Sequence, residues 1–558
     1  MTKRYDLHLL KKIAVKIPLI GALLFGSILF YSCQEKVDLI VHNANVYTLN
    51  KNNIKATAFA VKDGKFVAVG GEELLEKYNT KKTLNANELP VYPGFIDAHC
   101  HFLSLGLMQS QLDLTGTKSF DEILLKLENF SKDNSSKFIV GHGWDQNDWE
   151  NQAFPTKEKL DTLFPDTPVV LERIDGHAFL VNQKALDLAG ITTDSDSQGG
   201  QIIKANGTLT GLLIDGPMEL ISAILPKPTI EEKVKALKAA EAIALANGLT
   251  TVDDAGLSKE DVLLIDSLYK KGELKIRMYA MLSNTQENRD YFLANGPIKT
   301  DYLTVRSFKA YTDGALGSRG AVLKAPYSDA PEEFGTLVTP IDSLEKLAYR
   351  LSTSSFQLNT HAIGDSAVAA TLNIYRKALV FQNDPRWRIE HAQILDTTDI
   401  KLFNYKILPS VQPTHAISDM DWAEDRIGAD RMPGAYAFKA LLDQSNRIAL
   451  GTDFPVENVS PFATFHAAVV RKKSDETPEE GFLSENALTR MEALKGMTIW
   501  AAYANFEEDQ KGSIEVGKNA DFVMLDRDLI KISDRRILST RVVATIINGN
   551  VAYSNRFQ

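Results

Sequence analysis

Five segments of the chain carry residue types suited to metal binding and proton transfer. The segment Pro93-Gly94-Phe95-Ile96-Asp97-Ala98-His99-Cys100-His101 is an apolar run ending in two histidines two residues apart. Alternate side chains of a strand share a face, so His99 and His101 project together and both imidazoles can reach one metal ion. Cys100 faces the other way and is expected to be a packed thiol. Ser307-Phe308-Lys309-Ala310-Tyr311-Thr312-Asp313-Gly314 places a lysine inside an apolar strand. Lysine is almost never fully buried unpaired. Burial lowers its pKa, and a neutral amine can take up CO₂ as a carbamate with one oxygen for each of two metals. An edge-strand lysine with its head in solvent fits the same pattern. His361 and His391 each end a β-like run. Either alone is as readily a core or capping residue; two of them downstream of a His-x-His pair read as ligands. Asp453 follows the apolar run Ile448-Ala449-Leu450. It is either a helix N-cap or, at a barrel mouth, a metal ligand and proton shuttle.

These residues need a frame that brings distant segments together. Short β-branched runs alternate with helical patterns between about 90 and 505, which favours βα units and a parallel sheet. Candidate strands end at His99/His101, Asp253, Ala280, Lys309, His361, His391, Pro413 and Asp453. Eight is the number that a closed (β/α)₈ barrel requires. The stretch between the first two holds further strand-like runs, 138–144 and 168–173, and reads as an insertion over the barrel mouth. Both chain ends look like β-structure, with an Asp63-Gly64 hairpin signal near the N-terminus. The expected fold is α/β: a (β/α)₈ TIM barrel, a small composite β-sandwich built from both termini, and a large insertion after barrel strand 1. The expected divisions are a leader over 1–32, sandwich over 33–90 and 506–558, and barrel over 91–505 with the insertion at about 119–245.

Composition excludes several classes. Hydrophobic residues make up 44 % and charged residues 24 %, ordinary for a soluble globular chain and unlike a disordered, collagen-like or polytopic membrane protein. A formal charge of −10 argues against nucleic acid as the main partner. Two cysteines, Cys33 and Cys100, exclude a disulfide scaffold and a multi-cysteine metal site. At the N-terminus, Lys3, Arg4, Lys11, Lys12 and Lys16 precede the apolar run from Ile17 to Tyr31. Those 15 residues are short of the ~20 that span a bilayer, and the pattern reads as a secretory signal. Its end, Leu29-Phe30-Tyr31-Ser32-Cys33, resembles a bacterial lipoprotein signal. The expectation is an exported lipoprotein, anchored to the membrane by an acylated Cys33 on the periplasmic or cell-surface face.

The ordered set of strand-end motifs resembles the amidohydrolase superfamily over nearly the whole mature chain. Within it the chain looks most like the amidohydrolase-3 group, which includes N-substituted formamide deformylases. Three phrases support the subgroup: Arg173-Ile174-Asp175-Gly176-His177, the run from Thr312 to Gly320, and the run from Gly512 to Asp521. The resemblance implies that His99, His101 and Asp453 bind one metal, that His361 and His391 bind a second, and that carboxylated Lys309 bridges them. Nitrogen and oxygen ligands favour zinc, with other divalent ions also fitting. Such a metal lowers the pKa of bound water to about 7, and Asp453 would carry the proton to the leaving amine. The implied partner is a small amide cleaved at a linear C–N bond. Many relatives associate, so a homodimer is a further expectation.

Other candidates keep two readings each. His177 reaches the substrate carbonyl or its oxyanion from above, or is a structural turn residue. Arg319 pairs with a substrate carboxylate or with Asp313. His142, Trp144 and Asp145 form part of a lid over the substrate, with Trp144 and Trp149 equally readable as core. His415 supports the metal ligands from beyond the seventh strand. Competing functions are cyclic-amide hydrolysis or deamination by the same machinery, and a non-catalytic solute-binding lipoprotein, which has no need of a full ligand set.

Overall fold

The structure, a computed structural model, describes residues 34–133, 137–195, 198–404 and 406–555. The expected leader and Cys33 lie outside the described residues. Among the described residues, no helix is long and apolar enough to cross a membrane.

Eight parallel strands form a nearly closed barrel: β1 (Phe95–Cys100), β2 (Leu249–Leu257), β3 (Arg277–Ser283), β4 (Leu303–Tyr311), β5 (Gln357–Ala362), β6 (Trp387–His391), β7 (Ile407–Val411) and β8 (Ala449–Leu450). They are the eight strands expected from the sequence, in the same order. Helices cover the outer faces, so the strands are buried on both sides and rich in apolar residues. The seam between β8 and β1 closes at the rim. There Asp453 N–H donates to His99 C=O, and His101 N–H donates to Phe454 C=O, both at 2.7 Å. The buried Asp97 carboxylate reinforces the seam by accepting from Thr452 N–H at 2.9 Å and Thr452 O–H at 2.7 Å. Closure and the placement of three candidate ligands are therefore one feature.

Arg388 fills the barrel interior from β6. It pairs with Asp253 at 3.0 Å and with Glu390 at 2.6 Å, and all three side chains are fully buried. A buried charge persists only when paired in this way, and the pairing gives the site a rigid polar floor.

The helix Phe102–Met108 follows β1 and packs on the helix Ile230–Ala246, which leads into β2. A Cβ on Gly106 would lie 2.0 Å from the Ala236 carbonyl oxygen, so only glycine permits this approach. Between these helices lies a six-stranded inserted sheet, ordered Leu112–Asp113, Ile139–Trp144, Val169–Arg173, Ala178–Val181, Thr208–Asp215, Gly200–Ala205. The boundaries expected at about 119 and 245 need correction. The sheet begins before residue 119, and residue 245 belongs to a barrel helix.

Strands from both termini share a six-stranded sheet, in which Phe522–Leu525 pairs antiparallel with Pro90–Pro93. A four-stranded sheet, including the hairpin of Ala58–Lys62 and Lys65–Gly70, packs against it. The Phe59 ring meets Phe66 and Phe522 edge-on at 5.2 and 4.9 Å. Buried Arg277 on β3 binds Asp521 at 2.6 Å and so ties this sandwich to the base of the barrel.

Candidate active site

The C-terminal ends of the barrel strands gather the predicted ligands on one rim. Lys309 sits near the end of β4, His361 near the end of β5 and His391 at the end of β6. His99 lies in β1, and His101 and Asp453 follow β1 and β8. One ligand atom from each of His99, His391 and Asp453 falls within 4.8 Å of the others. Asp453 Oδ1 is 3.3 Å from His101 Nε2 and 3.7 Å from His99 Nε2. The His361 and His391 rings are 4.5 Å apart, and Lys309 Nζ is 2.9 Å from His99 Nε2.

Neighbouring acceptors fix the imidazole tautomers. His99 Nδ1 donates to Glu390 at 2.6 Å, and His101 Nδ1 donates to the Ala255 carbonyl at 2.9 Å. Both therefore present a bare Nε2 to the centre. His361 Nε2 faces the Gly314 carbonyl at 3.3 Å, which leaves Nδ1 as its lone-pair nitrogen. Oxygen acceptors behind imidazoles in this manner orient metal ligands. A divalent metal fits this donor set. His391 Nδ1 and Asp453 Oδ1 are buried with no hydrogen-bond partner among the described residues, a costly state unless another group completes them.

Backbone strain is concentrated here. His391 has φ +72° and Asp453 has φ +65°. Such conformations cost of order 1–3 kcal/mol each for non-glycine residues and persist where the surroundings dictate them. Strand alternation alone would send Glu390 and His391 to opposite faces. The turn at His391 brings both into the interior.

Electrostatics follow from burial and partners. Burial pushes the Lys309 amine down to about 8 and His99 down to about 4. Burial opposes ionisation of Glu390, but Arg388 and His99 overcome it and hold the carboxyl at about 2. Asp453 is likewise held well below the usual carboxylate range, against burial, by the histidines around it. His415 approaches Asp453 Oδ2 at 3.4 Å and is itself bound to Glu457 at 3.0 Å.

A cavity of about 620 Å³ opens above this centre. Its floor includes His101, Lys309, His361, His391 and Asp453. The inserted sheet contributes His142, Asp145 and His177 to its wall, and the segment after β7 contributes His415 and Trp422. Burial would lower the pKa of His177, but Asp215, 2.6 Å from Nδ1, raises it to about 9. Cys100 is a buried free thiol near the Asp253 carbonyl, on the side away from the cavity.

Three expected substrate contacts need correction. Trp144 is fully buried in the core of the insertion, and its indole N–H donates to the Leu171 carbonyl at 2.9 Å. Arg319 binds Asp329 at 2.8 Å rather than Asp313 or the cavity. Asp313 accepts backbone N–H groups from Val322, Ile363 and Gly364 at 2.8–3.0 Å, so it shapes the loop after β4 instead of meeting substrate. Glu390, Asp215 and Glu172 also belong to the site, and no sequence pattern marks them as such. Glu390 directly precedes His391 in the β-like run that ends there. Asp215 had no local signal. Glu172, which burial raises to about 7, lines the cavity beside the Arg173–His177 phrase.

A model of the amidohydrolase family matches residues 82–553. The chain belongs to that family, in its amidohydrolase-3 group. A Bacillus subtilis protein named as an amidohydrolase, YtcJ, is 34 % identical over 92 % of this chain and 99 % of its own length. The N-substituted formamide deformylase of Arthrobacter pascens is 26 % identical over 92 % and 98 %. A metal-dependent hydrolase from Pyrococcus horikoshii has a crystal structure that superposes with a TM-score of 0.73 at 27 % identity, covering 89 % of this amidohydrolase and 99 % of that chain. As a family member, the chain is a metal-dependent hydrolase of carbon–nitrogen bonds.

Proposed function

We propose that this amidohydrolase cleaves a linear amide or formamide-type C–N bond in a small neutral molecule and releases an amine. The observation that carries the reading is the approach of His99, His391 and Asp453 to within 4.8 Å on the floor of a 620 Å³ cavity. The formamide deformylase relative supports the bond type. Zinc suits the ligand set. In this reading, His99, His101 and Asp453 hold one ion, and His361 and His391 hold a second. The buried, neutral Lys309 amine would add CO₂, with an N–C bond formed and one proton released, and the resulting carbamate would offer an oxygen to each ion. The burial of Lys309, with no carboxylate in ion-pair distance among the described residues, supports that chemistry. When bound, the metal supplies an acidified water and polarises the carbonyl.

The chain's own residues then move and hold the charges. Asp453 is ionised at neutral pH, so it accepts the proton of the attacking water. The water oxygen bonds to the carbonyl carbon, the C–N bond breaks, and Asp453 returns the proton to the departing nitrogen. His177 donates a hydrogen bond to the carbonyl oxygen as negative charge develops there. Among the described residues the wall has no free guanidinium, because Arg173 is held by Asp145 and by Asp175 at 2.5 Å. Substrates carrying a carboxylate therefore lack a guanidinium partner.

The test is amine release by the zinc-loaded protein from N-formyl, N-acetyl and cyclic amides. Turnover of N-formyl or N-acetyl amines supports the reading, and turnover confined to cyclic amides overturns it. Export and tethering through an acylated Cys33 complete the proposal, on the pattern of residues 1–33 alone. Palmitate labelling that persists in Cys33→Ala would refute the anchor.

A further inference from the structure

We infer that Asp215 is a positioning residue for hydrolysis, fixing the His177 ring so that Nε2 meets the substrate's carbonyl oxygen. The inference rests on the role proposed for His177 and assigns the group that creates it.

His177 lies in the short turn between Val169–Arg173 and Ala178–Val181. Its backbone is pinned on both sides. Its N–H donates to Asp175 Oδ1 at 3.0 Å, and its carbonyl accepts Asp215 N–H at 3.1 Å. Asp215 ends the adjoining strand Thr208–Asp215, and its side chain is 1 % exposed. Its Oδ1 takes the Nδ1 hydrogen of His177 at 2.6 Å. Nε2 then has no partner among the described residues, and the ring lines the cavity 5.1 Å from the ring of His361. A carboxylate on one imidazole nitrogen fixes both the tautomer and the ring plane, and its negative charge favours the form in which Nε2 also bears hydrogen.

The other oxygen of Asp215 shows why the carboxylate cannot drift. A Cβ built on Gly314 would lie 2.2 Å from Oδ2, and one on Gly320 would lie 2.6 Å away. The carboxylate is wedged against the loop after β4, whose Gly314 carbonyl also faces His361 Nε2. One acid from the insertion thus registers His177 against a loop of the barrel that seats a candidate ligand.

A double-variant cycle on the zinc-loaded full chain, with Asp215→Asn, His177→Gln and the pair, tests the assignment using an N-formyl amine. Losing one donor to a developing oxyanion costs about 10²–10³ in kcat. Asp215→Asn should lose at least tenfold in kcat with KM and zinc content nearly unchanged. The pair should lose no more than His177→Gln alone. Losses that multiply in the pair would overturn the inference and leave the hydrolase reading intact. Absence of turnover of any amide by the wild type would overturn both. Nitrogen-15 spectra of histidine-labelled protein give a readout independent of turnover. His177 should carry hydrogen on both Nδ1 and Nε2 in the wild type at neutral pH and lose the fixed Nδ1–H in Asp215→Asn. A wild-type His177 protonated on Nε2 alone would overturn the inference.

Discussion

His99 donates its Nδ1 hydrogen to Glu390 at 2.6 Å, and neither side chain has any solvent exposure. Arg388 holds the other side of the same carboxylate. The ligand face of His99 is thus set by a chain of buried charges that begins at the barrel floor.

The first prediction concerns that chain. Glu390→Gln should weaken zinc binding about 10–100-fold, as loss of an orienting carboxylate does. It should also destabilise the fold by about 3–5 kcal/mol, because Arg388 loses a buried partner. Zinc retention against a chelator and urea unfolding read the two effects. Unchanged affinity would show that the imidazole needs no orientation.

Asp453→Asn preserves shape and one candidate ligand oxygen but removes the proposed base. Metal content should stay near the wild-type value while kcat falls about 10²–10⁴-fold. Elemental analysis with steady-state kinetics checks this. Near-normal kcat would remove Asp453 from proton transfer.

The pH dependence of stability has a defined sign at His177, whose pKa rises from 6.5 to about 9 in the fold. A base with a raised folded pKa contributes fully below its unfolded value, and the contribution is lost as pH rises through the folded one. The stability difference between wild type and His177→Gln should be on the order of 3 kcal/mol near pH 6 and absent above about pH 9. Urea unfolding across that range measures it. A difference that grows with pH would contradict the Asp215 pairing.

Substrate charge is the fourth prediction. With Arg173 and Arg319 both engaged by aspartates, N-formyl amino acids should show at least tenfold lower kcat/KM than N-formyl amines of equal size. Equal values would mean that some group in the wall accepts a carboxylate.

The sequence exposed the barrel and its rim because both depend on local patterns. An apolar strand ending in His99-x-His101, or in Asp453, announces position and chemistry within ten residues. Pairings across the chain left no such trace. Arg319 follows Asp313-Gly314 closely, yet its loop turns it to Asp329. Trp144 ends a strand of the insertion, and only the packing of that sheet decides that it points into the core. Asp215 lies 38 residues from His177 and meets it through sheet pairing. Glu390 was masked by strand alternation, which breaks at the positive φ of His391.

The most direct test is a zinc titration of chelator-stripped full-length protein, with amine release from N-formyl amines followed at each step. Release should be absent without metal and should rise to a plateau at about two zinc ions per chain, the number that the six-ligand set accommodates. Release that survives stripping, or a zinc-saturated protein that cleaves no linear amide, would contradict the account.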